Sequence, residues 1–336
     1  MEVAPTGITS LLPIFLFPVL GISSAKQICQ VYFKDSIVLF FCTLAMTLAV
    51  EETNLHKRIA LKLLCKVGTR KQTMLLGFMG TTAFLNVGEM AIESGNFDKL
   101  KKDDRGFAKA LVLACAHGSL IGGTAIITST GPNLVFREII QSSYAEHEIS
   151  VSYVQWMMFA MPPMMLYLLA SFAVITSKEE QRISFAVEKK IKCAYDELGK
   201  FTFAEKSILA WFILLMASWI MRKPGFIPGW GDLFPDHGKL LSDSVPAVLV
   251  VFLLFAWPKD PFAKDPTPIL NWDVMKKRFA WSCVLLIGAG YAISEGVEVS
   301  SVNPILKNCI IKCRHNSRSC LWFDGLNLVC NHLIAH

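Results

Sequence analysis

Gly122-Gly123-Thr124-Ala125-Ile126-Ile127-Thr128-Ser129-Thr130-Gly131-Pro132-Asn133 lies inside a charge-free run from Ala110 to Phe136. A run of that length suits a single membrane-crossing helix, but the paired glycines, the Thr/Ser hydroxyls and a Gly-Pro step oppose continuous helix in its second half. The stretch predicts a helix broken in mid-membrane. Lipid cannot satisfy the N–H and C=O groups that a break frees, so broken backbone at that depth needs protein or a water-filled cavity around it. Freed carbonyls and hydroxyls are hard oxygen donors suited to Na⁺. The restarting half-helix turns the positive end of its dipole toward an anion. In that geometry Thr130 is the expected N-cap and Pro132 stands in the tolerated first turn. A Gly/Pro kink between packed helices, with Thr and Ser bonded back to the preceding turn, accounts for the same spacing.

Working outward, the 336 residues are 53% hydrophobic and 18% charged, with a mean hydropathy of +0.45, which excludes an ordinary soluble domain. The apolar residues fall into eight blocks: Gly7–Ile22, Ser36–Val50, Met74–Val87, Ala110–Phe136, Ile149–Ser177, Ser207–Met221, Ser244–Pro258 and Phe279–Ser294. The fold class expected is an all-α polytopic membrane protein embedded in a lipid bilayer. Several blocks are short and need interfacial flanks to span. The formal charge of +6 is spread over loops among acidic residues, so it reports orientation and no nucleic acid is expected as a partner.

From Ser23–Asp35 onward the loops carry 2, 6, 5, 1, 7, 3 and 5 Lys or Arg. A strict zigzag would put the two basic loops Glu51–Thr73 and Gly88–Lys109 on opposite sides, against the positive-inside rule. If Met74–Val87 enters and leaves on the cytoplasmic face, every loop with five or more positives is cytoplasmic. The third block is then re-entrant, the broken helix runs outward, and Lys178–Lys206 is the main cytoplasmic loop. Asn54–Leu64 alternates basic and apolar faces at helical spacing and is expected in the interface plane. Trp230, in a turn-rich external loop, is placed at the headgroup level. Cys42, Cys115 and Cys283 fall within apolar blocks and read as buried small side chains. Cys309, Cys313, Cys320 and Cys330, with His315, crowd a polar tail whose spacing matches no zinc motif, so no metal beyond sodium is expected.

Three stretches together resemble the divalent anion/sodium symporters, the family of animal sodium-coupled dicarboxylate, citrate and sulfate transporters. They are Thr53-Asn54-Leu55-His56-Lys57-Arg58-Ile59-Ala60-Leu61, Ile121 through Asn133, and Arg222-Lys223-Pro224-Gly225-Phe226-Ile227-Pro228-Gly229-Trp230, in a likeness running in order from about residue 4 to about residue 300. The resemblance implies an inverted-repeat elevator transporter, dimeric and in the plasma membrane, with a re-entrant hairpin and a broken helix in each repeat. It implies sodium as the coupling ion and no organic cofactor. By position it places Thr130, Gly131 and Asn133 at both sodium and substrate, Gly123 and Thr124 (after Gly122) at the sodium approach, and Leu134 and Val135 beside the anion.

Two departures accompany the likeness. The family's first hairpin bears a Ser-Asn-Thr tip, whereas Thr82-Ala83-Phe84-Leu85 here runs directly into Asn86-Val87-Gly88-Glu89, and the only Ser-Gly-Asn, Ser94 to Asn96, sits in a polar loop. After Ser300 the family continues into a second hairpin and a second broken helix, whereas Asn303–His336 is a polar, Cys-rich tail. The chain therefore divides into a transporter domain over 1–300, incomplete in its second repeat, and a divergent tail over 301–336.

Symport of a di- or tricarboxylate such as succinate or citrate, or of sulfate, is the leading expectation. Since alternating access needs both halves, this chain alone is expected to transport weakly or not at all. The alternative is a non-transporting product that pairs with a full-length relative, as heterodimer rather than homodimer, and lowers its activity. An embedded enzyme is disfavoured, because His117 stands alone within the membrane blocks and suits a helix–helix contact. A channel is poorly supported without a ring of charges.

Overall fold

The computed structural model describes residues 5–67, 113–114, 116–143, 151–176, 192–193, 195–223, 228–233 and 241–299. Met74–Val87 with its re-entrant assignment, the acidic Glu89–Asp98 segment, Cys115 and the Cys-rich tail lie outside the described residues. All regular elements among the described residues are helical. The chain divides into two compact units, one from residues 1–34 and 281–336, the other from residues 35–280.

In the first unit the opening apolar block is cut into α1 (Thr6–Thr9) and α2 (Leu12–Val19), with Pro13 at a helix start and Pro18 inside the last turn. α3 (Ala25–Val31) begins with a capping box, in which Ser24 Oγ accepts from the Gln27 amide and Gln27 Oε1 accepts from the Ser24 amide. These short elements pack on α12 (Trp281–Val299) around Ile28, Tyr32, Ala289 and Ala292. Gly288 lets Tyr32 lie against α12, since a Cβ there would stand 2.4 Å from the ring. Cys283 is exposed, contrary to the sequence expectation. α12 is apolar around its circumference, so its lipid-facing side accepts a thiol as readily as its packed side does.

The second unit holds α4 (Asp35–Glu52), α5 (Leu55–Val67), α6 (residues 116–122), α7 (Gly131–Ser143), α8 (Tyr153–Thr176), α9 (Phe203–Arg222), α10 (Ser244–Ala256) and α11 (Trp272–Arg278). α4 and α10 form its spine through the buried residues Leu39, Ala45 and Ala49 against Ala247, Val250 and Leu254. The small residues on α4 admit close packing. Among the described residues, Tyr153–Val174 and Phe203–Arg222 are long and apolar enough to cross a membrane. Met158, Phe159, Leu166 and Leu169 on α8 are exposed, a surface that needs a bilayer around it. α9 starts at a second capping box, Thr202 with Glu205.

Two buried ionic clusters mark the ends of α9. At its start Arg58, 4% exposed, donates Nε to Glu205 Oε1 at 2.6 Å and its two terminal nitrogens to the Gly199 and Leu198 carbonyls at 2.8 and 2.7 Å. α5 is amphipathic as expected, but Arg58 turns into the protein rather than toward headgroups, because it holds the loop that leads into α9. The α4–α5 corner is made by Asn54 at φ 55°, a left-handed turn that asparagine accepts better than most residues. At the far end Asp243, 2% exposed, pairs with Arg137 of α7 at 2.6 Å and Arg222 of α9 at 2.7 Å. The two clusters are about 25 Å apart at the helical rise of 1.5 Å per residue, close to the thickness of a hydrocarbon core. Trp230 folds back at the same end, donating Nε1 to the Ser218 carbonyl at 2.7 Å.

Candidate functional site

The fourth apolar block is broken where the sequence predicts it. Helix α6 ends at Gly122, residues 123–126 form turns, Ile127–Ser129 makes one 3₁₀ turn, and α7 restarts at Gly131. Thr130 has extended backbone, φ −140° and ψ 149°, directly before the first helical residue, which is the N-cap position. Pro132 follows in the first turn, where its missing N–H costs nothing.

The freed carbonyls do not stay free. Ser129 Oγ donates to the Gly123 and Ile126 carbonyls at 2.6 and 2.5 Å, and Asn133 Nδ2 donates to the same two at 2.8 and 3.0 Å. Both partners of the Asn133 amide are acceptors, so its nitrogen must point at them and its oxygen away. Trp156 Nε1 of α8 donates to the Thr124 carbonyl at 3.0 Å, and Thr124 Oγ1 donates to the Ile121 carbonyl at 2.7 Å. The break is thus a braced knot in which Asn133, two residues into the new helix, ties back to the end of the old one.

Gly123 is required by this knot. A Cβ there would stand 2.8 Å from Thr130 Cγ2 and 3.3 Å from the Ser119 carbonyl oxygen. The close approach of Gly123 and Thr130 brings the sequence-marked sodium-approach residues and the Thr130–Asn133 loop into one cluster. Gly131 and Leu134 are buried, Thr130 and Asn133 are half-buried, and Val135 is half-buried one position beyond Leu134. The Thr130 hydroxyl and Asn133 Oδ1 stand outside the bracing network, as oxygens at the positive end of α7.

The depth of the knot follows from the two ionic clusters. Arg137 stands about 9 Å along α7 from its start, and Ile126, Thr128 and Ser129 border a cavity also lined by Leu209 and Phe212 of mid-α9. The knot therefore lies between the two levels, in the apolar interior. Arg137 joins α7 to Asp243 and, through it, to Arg222. Arg137 also lies over the Tyr153 ring at 5.7 Å, and Tyr153 stacks on Trp219 at 5.3 Å. Trp219 in turn donates to the Asp243 carbonyl at 2.9 Å. His117 Nδ1 meets Ser171 Oγ at 2.7 Å, a contact between α6 and α8.

Sequence reasoning missed the bracing by Ser129, Asn133 and Trp156, and it missed Arg137 and Asp243. A signal existed for the last two. An arginine closing an apolar block needs a partner. Which partner, across more than a hundred positions, is fixed only by the fold.

Helices too apolar for water, with a further helix broken and braced between them, define an integral membrane protein. The chain belongs to the family described as the sodium:sulfate symporter transmembrane region, which matches residues 1–319. It is 48% identical, over 91% of its length, to a sodium-dependent high-affinity dicarboxylate transporter 2 of Caenorhabditis elegans. Against the Na(+)/citrate cotransporter of Rattus norvegicus it is 29% identical over 93%, and against solute carrier family 13 member 2 of the same animal 30% identical over 94%. It spans 66%, 71% and 68% of these relatives' lengths, so roughly two thirds of each is matched. The family is one of sodium-coupled symporters, in keeping with a transporter rather than an enzyme.

Proposed function

We propose that this chain supplies a sodium and anion half-site of a sodium-coupled symporter for dicarboxylates, with succinate the first substrate to test. The observation that carries this reading is the braced knot at mid-depth, with Thr130, Gly131 and Asn133 at the positive end of α7. The bracing itself adds a reason. With the Gly123 and Ile126 carbonyls already bonded, the Thr130 hydroxyl and Asn133 Oδ1 are among the oxygens left to meet a cation.

In this reading Na⁺ binds first between those oxygens and lowers the cost of bringing a dianion close. The α7 dipole and the Thr130 hydroxyl then hold a carboxylate beside Leu134 and Val135. Gly123 and Thr124 shape the approach. The names of the relatives favour a dicarboxylate over sulfate. Inverted repeats moving as an elevator, a homodimer or a dimer with a full-length relative, and a plasma-membrane location belong to the same proposal, supported by family membership.

Sodium-dependent binding of labelled succinate to the purified, reconstituted chain tests the site. Thr130→Ala and Thr130→Val, which remove the hydroxyl and leave the Asn133 brace in place, are expected to lower succinate binding in sodium while leaving the protein folded. Wild-type binding in both variants would remove the knot from the site.

A further inference from the structure

Helix α8 carries Pro162 and Pro163 in its interior. Neither residue has an N–H, so the Met158 and Phe159 carbonyls lose the donors that a continuous helix would bring them, and the proline rings crowd the preceding turn. Bends in long helices concentrate at such points. The pair divides α8 into a first half, residues 153–161, and a second, residues 164–176.

The two halves are held differently. In the first, Tyr153 is 3% exposed, stacks on Trp219 of α9 and lies beneath Arg137 of α7. One turn on, Trp156 donates to the Thr124 carbonyl of the knot and meets Phe136 of α7 edge-on at 5.9 Å. This half is fastened to the knot, α7 and α9. Beyond the prolines Met164 is buried, but Met165, Leu166, Tyr167 and Leu169 are exposed. A polar contact of the second half, Ser171 Oγ with His117 Nδ1 at 2.7 Å, reaches across to α6. Interhelical hydrogen bonds of this kind are modest on average, enough to bias two arrangements of a helix and too little to lock one of them.

We propose that Pro162 and Pro163 form a hinge and that the His117–Ser171 bond is a latch across it. With the latch closed, the second half of α8 stays against α6. With it open, that half swings while the first stays with the knot. Since α6 runs directly into Gly123, the latch also ties the swinging half to the chain that enters the knot. The device follows from α8 and its contacts, and it stands whether or not the knot binds sodium.

Spin-label pairs on the purified chain in nanodiscs, with the native cysteines replaced, test both parts. Leu249→Cys on α10 supplies the fixed label, Tyr167→Cys reports the second half of α8 and Phe159→Cys the first, all at exposed positions. Double electron–electron resonance should resolve a minor second distance between the labels at 167 and 249. Either His117→Ala or Ser171→Ala, whichever folds, should raise its share roughly threefold, the scale of one interhelical hydrogen bond in a membrane. Replacing both prolines by alanine should return a single distance even with the latch removed, and the distance between 159 and 249 should hold throughout. A distribution between 167 and 249 that neither latch variant moves overturns the latch. A second distance that survives loss of both prolines, or a distance between 159 and 249 that shifts with it, overturns the hinge.

Discussion

Asn133 shows how much one side chain carries at the break. It stands in the new helix while its amide satisfies two carbonyls of the turns before it, at 2.8 and 3.0 Å. A buried polar group that loses its partner costs about 1–3 kcal/mol, so Asn133→Ala should lower stability by about that much, read as a drop in the thermal unfolding midpoint. An unchanged midpoint would mean that water replaces the amide. Gly123 makes a second case. Its missing Cβ is the space that Thr130 occupies, so Gly123→Ala should cost about 1–3 kcal/mol by overpacking and also weaken sodium binding through the displaced Thr130. Loss of stability with sodium affinity intact would separate Thr130 from the ion. At this scale the sequence was only partly legible. The oxygen-rich composition of residues 122–133 was visible, but composition cannot say which oxygens the protein keeps for itself, because Ser129 and Asn133 reach carbonyls that only the turn brings near.

At the scale of elements, two ionic clusters clamp α9, and each ties it to helices distant in sequence. Asp243 shares two guanidinium groups, so its removal leaves the buried Arg137 and the half-buried Arg222 with no counter-ion. Asp243→Ala should destabilise the protein by about 3–5 kcal/mol, again by thermal unfolding, with the Arg137 and Arg222 single variants less severe because each leaves a neutral pair. A mild effect of Asp243→Ala would show that water reaches the cluster. The helices themselves were largely legible: Ser36–Val50, Ile149–Ser177 and Ser207–Met221 correspond to α4, α8 and α9 within a few residues at each end. The first block, Gly7–Ile22, is cut into α1 and α2 just before Pro13, which cannot donate to the helical ladder. Arg58 was read as interfacial because amphipathic spacing gives a helix its face and not its partner, and Glu205 lies 147 residues away.

For the whole molecule, loop charge gives an orientation that the ionic clusters on α9 now make testable. Lys200, beside the Arg58 cluster, belongs to a loop assigned to the cytoplasm, and Asp232, beside the opposite cluster, to one assigned outside. In a background without native cysteines, Lys200→Cys and Asp232→Cys should react with an impermeant maleimide from opposite faces. Labelling from the same face would contradict α9 as a span. Family membership was legible because three motifs in fixed order are far more specific than any one glycine-rich turn, and the match over residues 1–319 agrees with them.

The central claim is that a helix broken and braced at mid-depth holds sodium. Its most direct test is the thermal unfolding midpoint of the purified chain titrated with Na⁺ against K⁺ at constant ionic strength. A site that binds only the folded state stabilises it by about 2.7 kcal/mol at a hundredfold excess over its Kd. The midpoint should therefore rise with Na⁺ alone, and Thr130→Ala should flatten that rise. Equal response to the two cations, or a sodium response untouched by Thr130→Ala, would contradict the claim.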